Sequence, residues 1–460
     1  MEIFSNKISN KDYKKAKKSY KKNVKKFGDD LNSDYHLSLT TNEVLNDLGA
    51  YNVRLSENKL NLDVKDPIVI GNIRMGFGHY RIAMAMCSAA KHLNKTPLWM
   101  DFASFDGTSA SNFIKHQNVL YSMGSRWSQK YKLFNKFYWE PLNSIGFAKL
   151  SYNAGDLLNA KILTPLFNDF DKDIPFVATH AWSAQAAVEA KMEKVVNAIP
   201  DNWPMALHFS PGALHTVQTH SSYLGYRTLR NMSDFPVHNL EEDDIEMVGH
   251  YIDHELVSNI ENDCNKRINN ARRGEKPVVL LTIGGAGAQS KLYENIINSI
   301  KNKAIVLINV GDHKNVLDSL KAKFKDAIVH SGYSDIKNFS VDDNMHLFYD
   351  EDIFSAVYTT NLLMRVSDLL ITKPSELSFY PIPKLMLKRV GGHEKWGAVH
   401  SSEIGDGTYE CETESQTLNM LNLLIDCPET RVMLNQNIIN ANKIEIYSGA
   451  YKVVEKAFNR

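Results

Sequence analysis

The chain of 460 residues is long enough for two or three domains, and its 43% hydrophobic content supplies apolar surface for more than one core. Lys plus Arg and Asp plus Glu each number 53, so no net field draws the protein to nucleic acid or to an acidic substrate, and any electrostatic targeting is local. Cys87, Cys264, Cys411 and Cys427 are scattered without a CxxC spacing, which argues against a zinc site or a disulfide framework and for a reduced, cytoplasmic setting.

Residues 1–60 read as a basic N-terminal extension. Lys7 to Lys26 holds ten lysines, while Tyr13, Ala16, Tyr20, Val24 and Phe27 recur at three- and four-residue spacing, predicting a helix with a narrow apolar stripe under a cationic face. Two uses fit that pattern: a surface helix whose stripe packs on the body, or an anchor for an anionic membrane surface through residues 1–30. No segment resembles a signal peptide and no run of about 20 apolar residues occurs, so a spanning helix is not expected.

From Asp66 the pattern alternates strand and helix. Pro67–Gly71 reads as a buried strand, Tyr80–Leu93 as a helix and Pro97–Asp101 as the next strand, with further strands at Ile174–Thr179 and Pro204–His208. A charged helical segment over Asp253–Arg273 leads into a second series with strands at Pro277–Ile283, Ala304–Asn309, Met345–Phe348 and Ser367–Thr372. The expectation is an α/β protein with a Rossmann-like domain over 61–260, another over 261–430, and a helical segment over 431–460 that returns to the first.

Two glycine turns follow strands: Gly76-Phe-Gly78-His79 and Ile283-Gly284-Gly285-Ala-Gly287. Small residues there let a phosphate or sugar approach a helix amino terminus, although such turns equally serve strand-to-helix packing. His79 stands in the first helical turn, where it either takes a proton from an acceptor hydroxyl or is satisfied by local backbone. After Ser367–Thr372 come Lys373, Pro374, Ser375 and Glu376; a carboxylate at that helix start complements the dipole or accepts hydrogen bonds from sugar hydroxyls. Gly391-Gly392-His393-Glu394 is a polar loop beyond Pro383.

In order and spacing these pieces resemble the monogalactosyldiacylglycerol synthases, the processive diacylglycerol glucosyltransferases and the peptidoglycan enzyme that adds N-acetylglucosamine to lipid I. The likeness runs from about Pro67 to Phe458, leaving the lysine-rich start outside. His79 after Gly76 and Gly78 matches the glycine-histidine start whose histidine is those families' proposed base. Thr179-His180 is similar to their Thr-His element, and Val248-Gly249-His-Tyr-Ile-Asp253 to the segment before their interdomain linker. Asp368-Leu-Leu-Ile-Thr-Lys-Pro374 matches almost letter for letter, and Glu376 and His393 lie seven residues before and ten after Pro383, as their ribose-binding acid and sugar-contacting loop do.

The resemblance implies a GT-B fold, two Rossmann-like domains facing a cleft. It implies transfer of a hexosyl group from a nucleotide sugar of the uridine diphosphate-linked kind to an acceptor hydroxyl of the lipid-linked class, with neither metal nor resident cofactor. Gly284, Gly285, Gly287, Lys373, Ser375, Glu376, His393 and Glu394 would line the donor side; Gly76, Gly78, His180 and His208 would line the acceptor side. Two departures stand out: the stretch facing the donor diphosphate between Pro374 and Glu376 is about five residues shorter than in those families, and His393 replaces a glutamine. Two other readings therefore accompany it, a nucleotide-sugar epimerase or hydrolase of the same fold and a non-catalytic nucleotide-binding relative.

Overall fold

The structure, a computed structural model, describes residues 1–460 apart from 61, 233–237, 284–289 and 390 and the side chains at 125, 129, 132, 144, 290 and 393. It divides into two compact units, Met1–Asp253 with Ser448–Arg460, and His254–Tyr447.

The first unit is built on eight strands, β1 (His36–Thr40), β2 (Tyr51–Ser56), β3 (Pro67–Asn72), β4 (Thr96–Asp101), β5 (Phe176–Ala178), β6 (Val195–Ala198), β7 (Leu214–Val217) and β8 (Ile245–Met247). Across the sheet they run β8-β7-β6-β5-β3-β4-β2-β1, all parallel except the β1–β2 hairpin. β3 is buried from Ile68 onward, as its unbroken β-branched run requires of a parallel strand covered on both faces. Gly71 is demanded by packing, because a Cβ there would stand 2.2 Å from the Phe176 ring of β5.

Helices α1 (Asn10–Phe27), α2 (Gly78–His92), α3 (Ser109–Lys130), α4 (Leu150–Asn159) and α5 (Ala181–Glu189) accompany this sheet. The lysine-rich segment forms α1, started by Ser9, whose side chain accepts from the Asp12 amide. Its stripe is occupied: Ala16 is buried with Leu150 and Ala154 of α4, while Tyr20, Val24 and Phe27 pack on the main core. Of its two expected uses the structure displays the packed one, leaving the lysines as the outward face.

The second unit carries β9 (Val278–Thr282), β10 (Ile305–Gly311), β11 (Ile328–His330), β12 (His346–Tyr349), β13 (Leu369–Thr372) and β14 (Lys384–Met386), in the fully parallel order β11-β12-β10-β9-β13-β14. Around it lie α6 (Ile260–Arg272), α7 (Lys395–Ile404) and α8 (Pro428–Lys443). Asp368 locks the starts of β9 and β13 together, since its backbone N–H donates to the Val278 carbonyl and its carboxylate accepts from the Val278 amide at 2.8 Å. Inside, Lys384 meets Asp406 at 2.8 Å with both side chains fully buried, and Asp406 also accepts from Ser401 of α7 and from Tyr447. Burial pulls the Lys384 ammonium down and Asp406 opposes that shift.

The expected carboxyl-terminal helical stretch is two helices. After α8, α9 (Gly449–Asn459) belongs to the first unit, where it packs on α2 and forms a 4.3 Å cation–π contact from Lys95 to Phe458. The two Rossmann-like α/β units are thus as the sequence indicates, and of the stretch 431–460 expected to return, Ser448–Arg460 belongs to the first unit while α8 belongs to the second. Two readings are corrected. Residues 36–56 are a hairpin that widens the first sheet, and the strand expected at Pro204–His208 is a 3-10 turn over Ala206–His208, the parallel strands being the short β6 and β7 on either side.

The return of α9 depends on a glycine. Gly449 donates its N–H to the His250 carbonyl, and a Cβ on it would lie 2.2 Å from the Gly249 oxygen. Gly449→Ala should therefore destabilise the protein by about 1–3 kcal/mol in chemical denaturation, whereas Gly155→Ala in α4, where the Cβ has open space, should be neutral or slightly stabilising.

Candidate functional site

In the first unit, β3 and β5 are neighbours, so the segments leaving their carboxyl ends emerge side by side. Gly76 takes φ +81° with nothing near its absent side chain, a conformation L-residues rarely adopt, and Gly78 opens α2. His79 is thereby set in the first turn of a 15-residue helix. Its Nδ1 lies 2.6 Å from the Thr179 carbonyl oxygen, and Thr179 Oγ1 donates back to the His79 carbonyl at 3.3 Å.

That contact decides the tautomer. A carbonyl only accepts, so Nδ1 carries the proton and a neutral imidazole keeps its lone pair on Nε2. The next residue fixes the turn from the other side: Tyr80 donates to Asp101 Oδ2 at 2.5 Å, its ring edge-on to Trp99. Burial pushes both Asp101 and Tyr80 upward, so the phenol remains a donor.

His180 stands beside this turn and His208 is a neighbour of His180, and both are tied into the protein. His180 caps α5, its Nδ1 accepting from the Trp182 amide at 3.1 Å, with its ring 4.8 Å from that of His79. Burial holds it well below the usual histidine range, helped by the His79 and His208 rings and opposed by Asp201. It is a neutral cap at neutral pH. His208 is engaged at both nitrogens, Nδ1 at 2.6 Å from Tyr226 Oη and Nε2 at 3.1 Å from Asp201 Oδ2. Of the three expected histidines, His79 is the one whose Nδ1 bond to a carbonyl places the lone pair on Nε2.

Sequence reasoning missed Trp182 and Asp156. The Trp182 ring sits 4.9 Å from His180, and Asp156 of α4 lies beside it. Burial pushes the Asp156 carboxyl up to about 7, with the Trp182 indole opposing that shift without closing a full hydrogen bond. No local pattern marks this acid, since it reads as a polar position on an amphipathic helix.

In the second unit, Thr372 ends β13 and Lys373, Ser375 and Glu376 follow directly. The Ser375 amide donates to the Lys373 carbonyl at 2.8 Å, and where a helix start was expected Glu376 begins a 3-10 turn over Glu376–Phe379. Lys373 Nζ meets Glu394 Oε1 at 2.5 Å, while the other Glu394 oxygen accepts from the Gly391 amide at 3.1 Å. Two stretches separated in sequence thus join, and α7 lies so close above the turn that a Cβ on Gly397 would stand 2.8 Å from Ser378 Oγ. The backbone of His393 lies in the turn Gly392–Glu394; its side chain, and Gly284, Gly285 and Gly287, lie outside the described residues.

Two family models divide the chain between them. The first, described as Domain of unknown function (DUF6937), matches residues 2–228, and the second, Domain of unknown function (DUF6938), matches residues 240–458. No curated protein sequence matches the chain. Among solved structures it is similar to a UDP-GlcNAc 2-epimerase from Neisseria meningitidis bound to UDP-GlcNAc, with 13% identity, 86% of this chain and 100% of that one covered, and a TM-score of 0.46. It is also similar to Anabaena Alr3699/HepE in complex with UDP, with 12% identity, 85% and 99% covered, and a TM-score of 0.41. The calicheamicin glycosyltransferase CalG4 shows 11% identity, 86% and 99% covered, and a TM-score of 0.42.

The Asp156 carboxyl generates a pH test. Its folded value of about 7 exceeds the ordinary value of about 3.9, so its contribution to stability is full below about pH 4 and is lost as pH rises through about 7. Denaturation midpoints measured from pH 4 to 8 should fall with rising pH, and Asp156→Asn should flatten that slope.

Proposed function

We propose that the protein is a GT-B-type glycosyltransferase that moves a hexosyl group from a nucleotide sugar to an acceptor hydroxyl. The observation that supports this most is the hydrogen bond from His79 Nδ1 to the Thr179 carbonyl, which leaves the Nε2 lone pair as the base of a helix-start histidine behind a glycine turn. In the proposed step Nε2 takes the acceptor proton as the acceptor oxygen forms its bond to the anomeric carbon. The bond from that carbon to the diphosphate breaks, and the nucleoside diphosphate leaves with the electron pair.

On this reading the second unit holds the donor, a uridine diphosphate sugar. Glu376 accepts from the ribose hydroxyls and Ser375 faces the diphosphate, a role the resemblance also gives to Gly284, Gly285 and Gly287, which lie outside the described residues. Glu394 and His393 contact the sugar, with Lys373 steadying Glu394. No resident cofactor or metal is invoked, since the leaving charge is met by backbone donors and helix starts. Gly76 and Gly78 leave room for the acceptor beside His79, while His180 and His208 shape the wall behind it. The resemblance favours a lipid-linked acceptor and a cytoplasmic protein working at an anionic membrane surface, with the α1 lysines as one electrostatic contact.

The short stretch from Pro374 to Glu376 favours one rival, a relative that binds nucleotide without turning it over; an epimerase or hydrolase is the other. Incubation with a panel of nucleotide sugars, assayed for free nucleoside diphosphate with and without lipid acceptors, separates them. Acceptor-dependent release supports transfer, acceptor-independent release supports the epimerase or hydrolase, and no release with measurable binding supports the binder. Within the transferase reading, His79→Ala should slow transfer by roughly 10²–10⁴ with nucleotide affinity unchanged. Glu376→Ala should weaken nucleoside diphosphate binding by about 1.5–3 kcal/mol in calorimetric titration. Unaltered turnover in the first variant, or unaltered affinity in the second, removes that residue from its role.

A further inference from the structure

Between β4 and β5 the first unit carries an excursion whose apolar side chains point out of the fold. Ten of the twenty exposed large apolar side chains among the described residues fall between Val119 and Tyr152. Leu133 is 73% exposed, Phe137 71% and Tyr138 60%, and Trp127, Tyr131 and Ile145 are each more than half exposed.

The excursion is nonetheless built. Trp139 is buried at its centre against α3, where a Cβ on Gly124 would stand 1.9 Å from the indole, and Asn143 Nδ2 donates to the Trp139 carbonyl at 2.8 Å. Trp139 fills the inward side, while Trp127 on α3, Tyr131 at its end, Phe137 and Tyr138 on the helical turn Asn135–Trp139 and Ile145 on the turn Leu142–Gly146 are exposed.

Charge is arranged with the same bias. From Ser109 to Lys149 the chain has one acid, Glu140, against six lysines and arginines. Lys130 lies 5.4 Å from the Tyr131 ring and Lys136 5.6 Å from the Phe137 ring, so cations flank the exposed aromatics. One turn before Val119, His116 contacts Lys26 of α1 at 2.9 Å, which brings the lysine-rich helix beside the same excursion.

We propose that residues 119–146 form a docking surface for an anionic lipid bilayer, the outward rings and Leu133 entering the interfacial layer while Arg126, Lys130, Lys136 and the α1 lysines meet the head groups. Aromatic side chains with a polar edge favour that layer, and lysine stems lie along apolar surface with the ammonium in water. Stable attachment takes two signals, apolar burial and a polybasic patch; α1 supplies only the second, because its own stripe packs on the body of the first unit. A second copy of the chain fits less well, since a two-fold contact would set like-charged patches against each other.

Sedimentation of the full chain with phosphatidylcholine vesicles, and with vesicles of equal phosphatidylcholine and phosphatidylglycerol, tests the proposal. The protein should sediment with the mixed vesicles, and the paired change Leu133→Ser with Phe137→Ser should lower its partition coefficient about tenfold or more without shifting thermal unfolding. Lys130→Glu with Lys136→Glu should lower binding to the mixed vesicles, and raised salt should do likewise. Absence of binding to mixed vesicles at low salt, or equal partition of the wild type and the serine pair, overturns the proposal. So does a dimer that the serine pair dissociates in a protein that ignores vesicles. Nucleoside diphosphate release, measured on the same samples without vesicles, reports on the proposed transfer separately.

Discussion

A single hydrogen bond, from the His79 imidazole to the backbone carbonyl of Thr179, organises the chemistry of the first unit. It exists because β3 and β5 are adjacent parallel strands, so that both connections leave the sheet at the same edge. Every element around it serves to keep two backbone segments in register. Gly71 lets β5 approach, Gly76 turns the chain through a conformation that L-residues rarely adopt, and Tyr80 clamps the helix start to Asp101. A histidine held in this way cannot choose its tautomer freely. Its partner, a carbonyl without a proton to give, chooses for it.

The same physics separates the neighbouring histidines by role. His180 uses a lone pair to cap a helix and is buried, which makes its charged form costly. His208 is bound at both nitrogens. Both rings are therefore held by structural bonds, and His180 alone packs directly on His79. The second unit repeats the theme without a histidine base: Glu394 joins the Gly391 turn to Lys373 and so ties the loop to the strand end.

Much of this was legible in the sequence wherever the signal was local. Long β-branched runs ending in glycine announced β3 and β9, and the small residues at 76 and 78 announced the turn that places His79. The short strands were not legible, because an apolar run of four or five residues reads equally as strand or turn. Pro204–His208 is the example: Ala206 and His208 are buried as a strand would bury them, yet the segment winds into a 3-10 turn and β6 and β7 take the sheet positions. The hairpin at 36–56 was hidden by its place after the lysine-rich helix. Asp156 and Trp182 were invisible for another reason, since their environment is made by segments far apart in the chain that meet only after folding.

The tautomer of His79 is the most direct test, because the tautomer carries the proposed base. With ¹⁵N-labelled histidine, long-range nitrogen–proton correlation spectra at neutral pH distinguish a protonated nitrogen from a bare one, and loss of the signal in His79→Gln assigns it. A neutral ring with the proton on Nδ1 and a lone pair on Nε2 is the expected result. A proton on Nε2 with Nδ1 bare would contradict it.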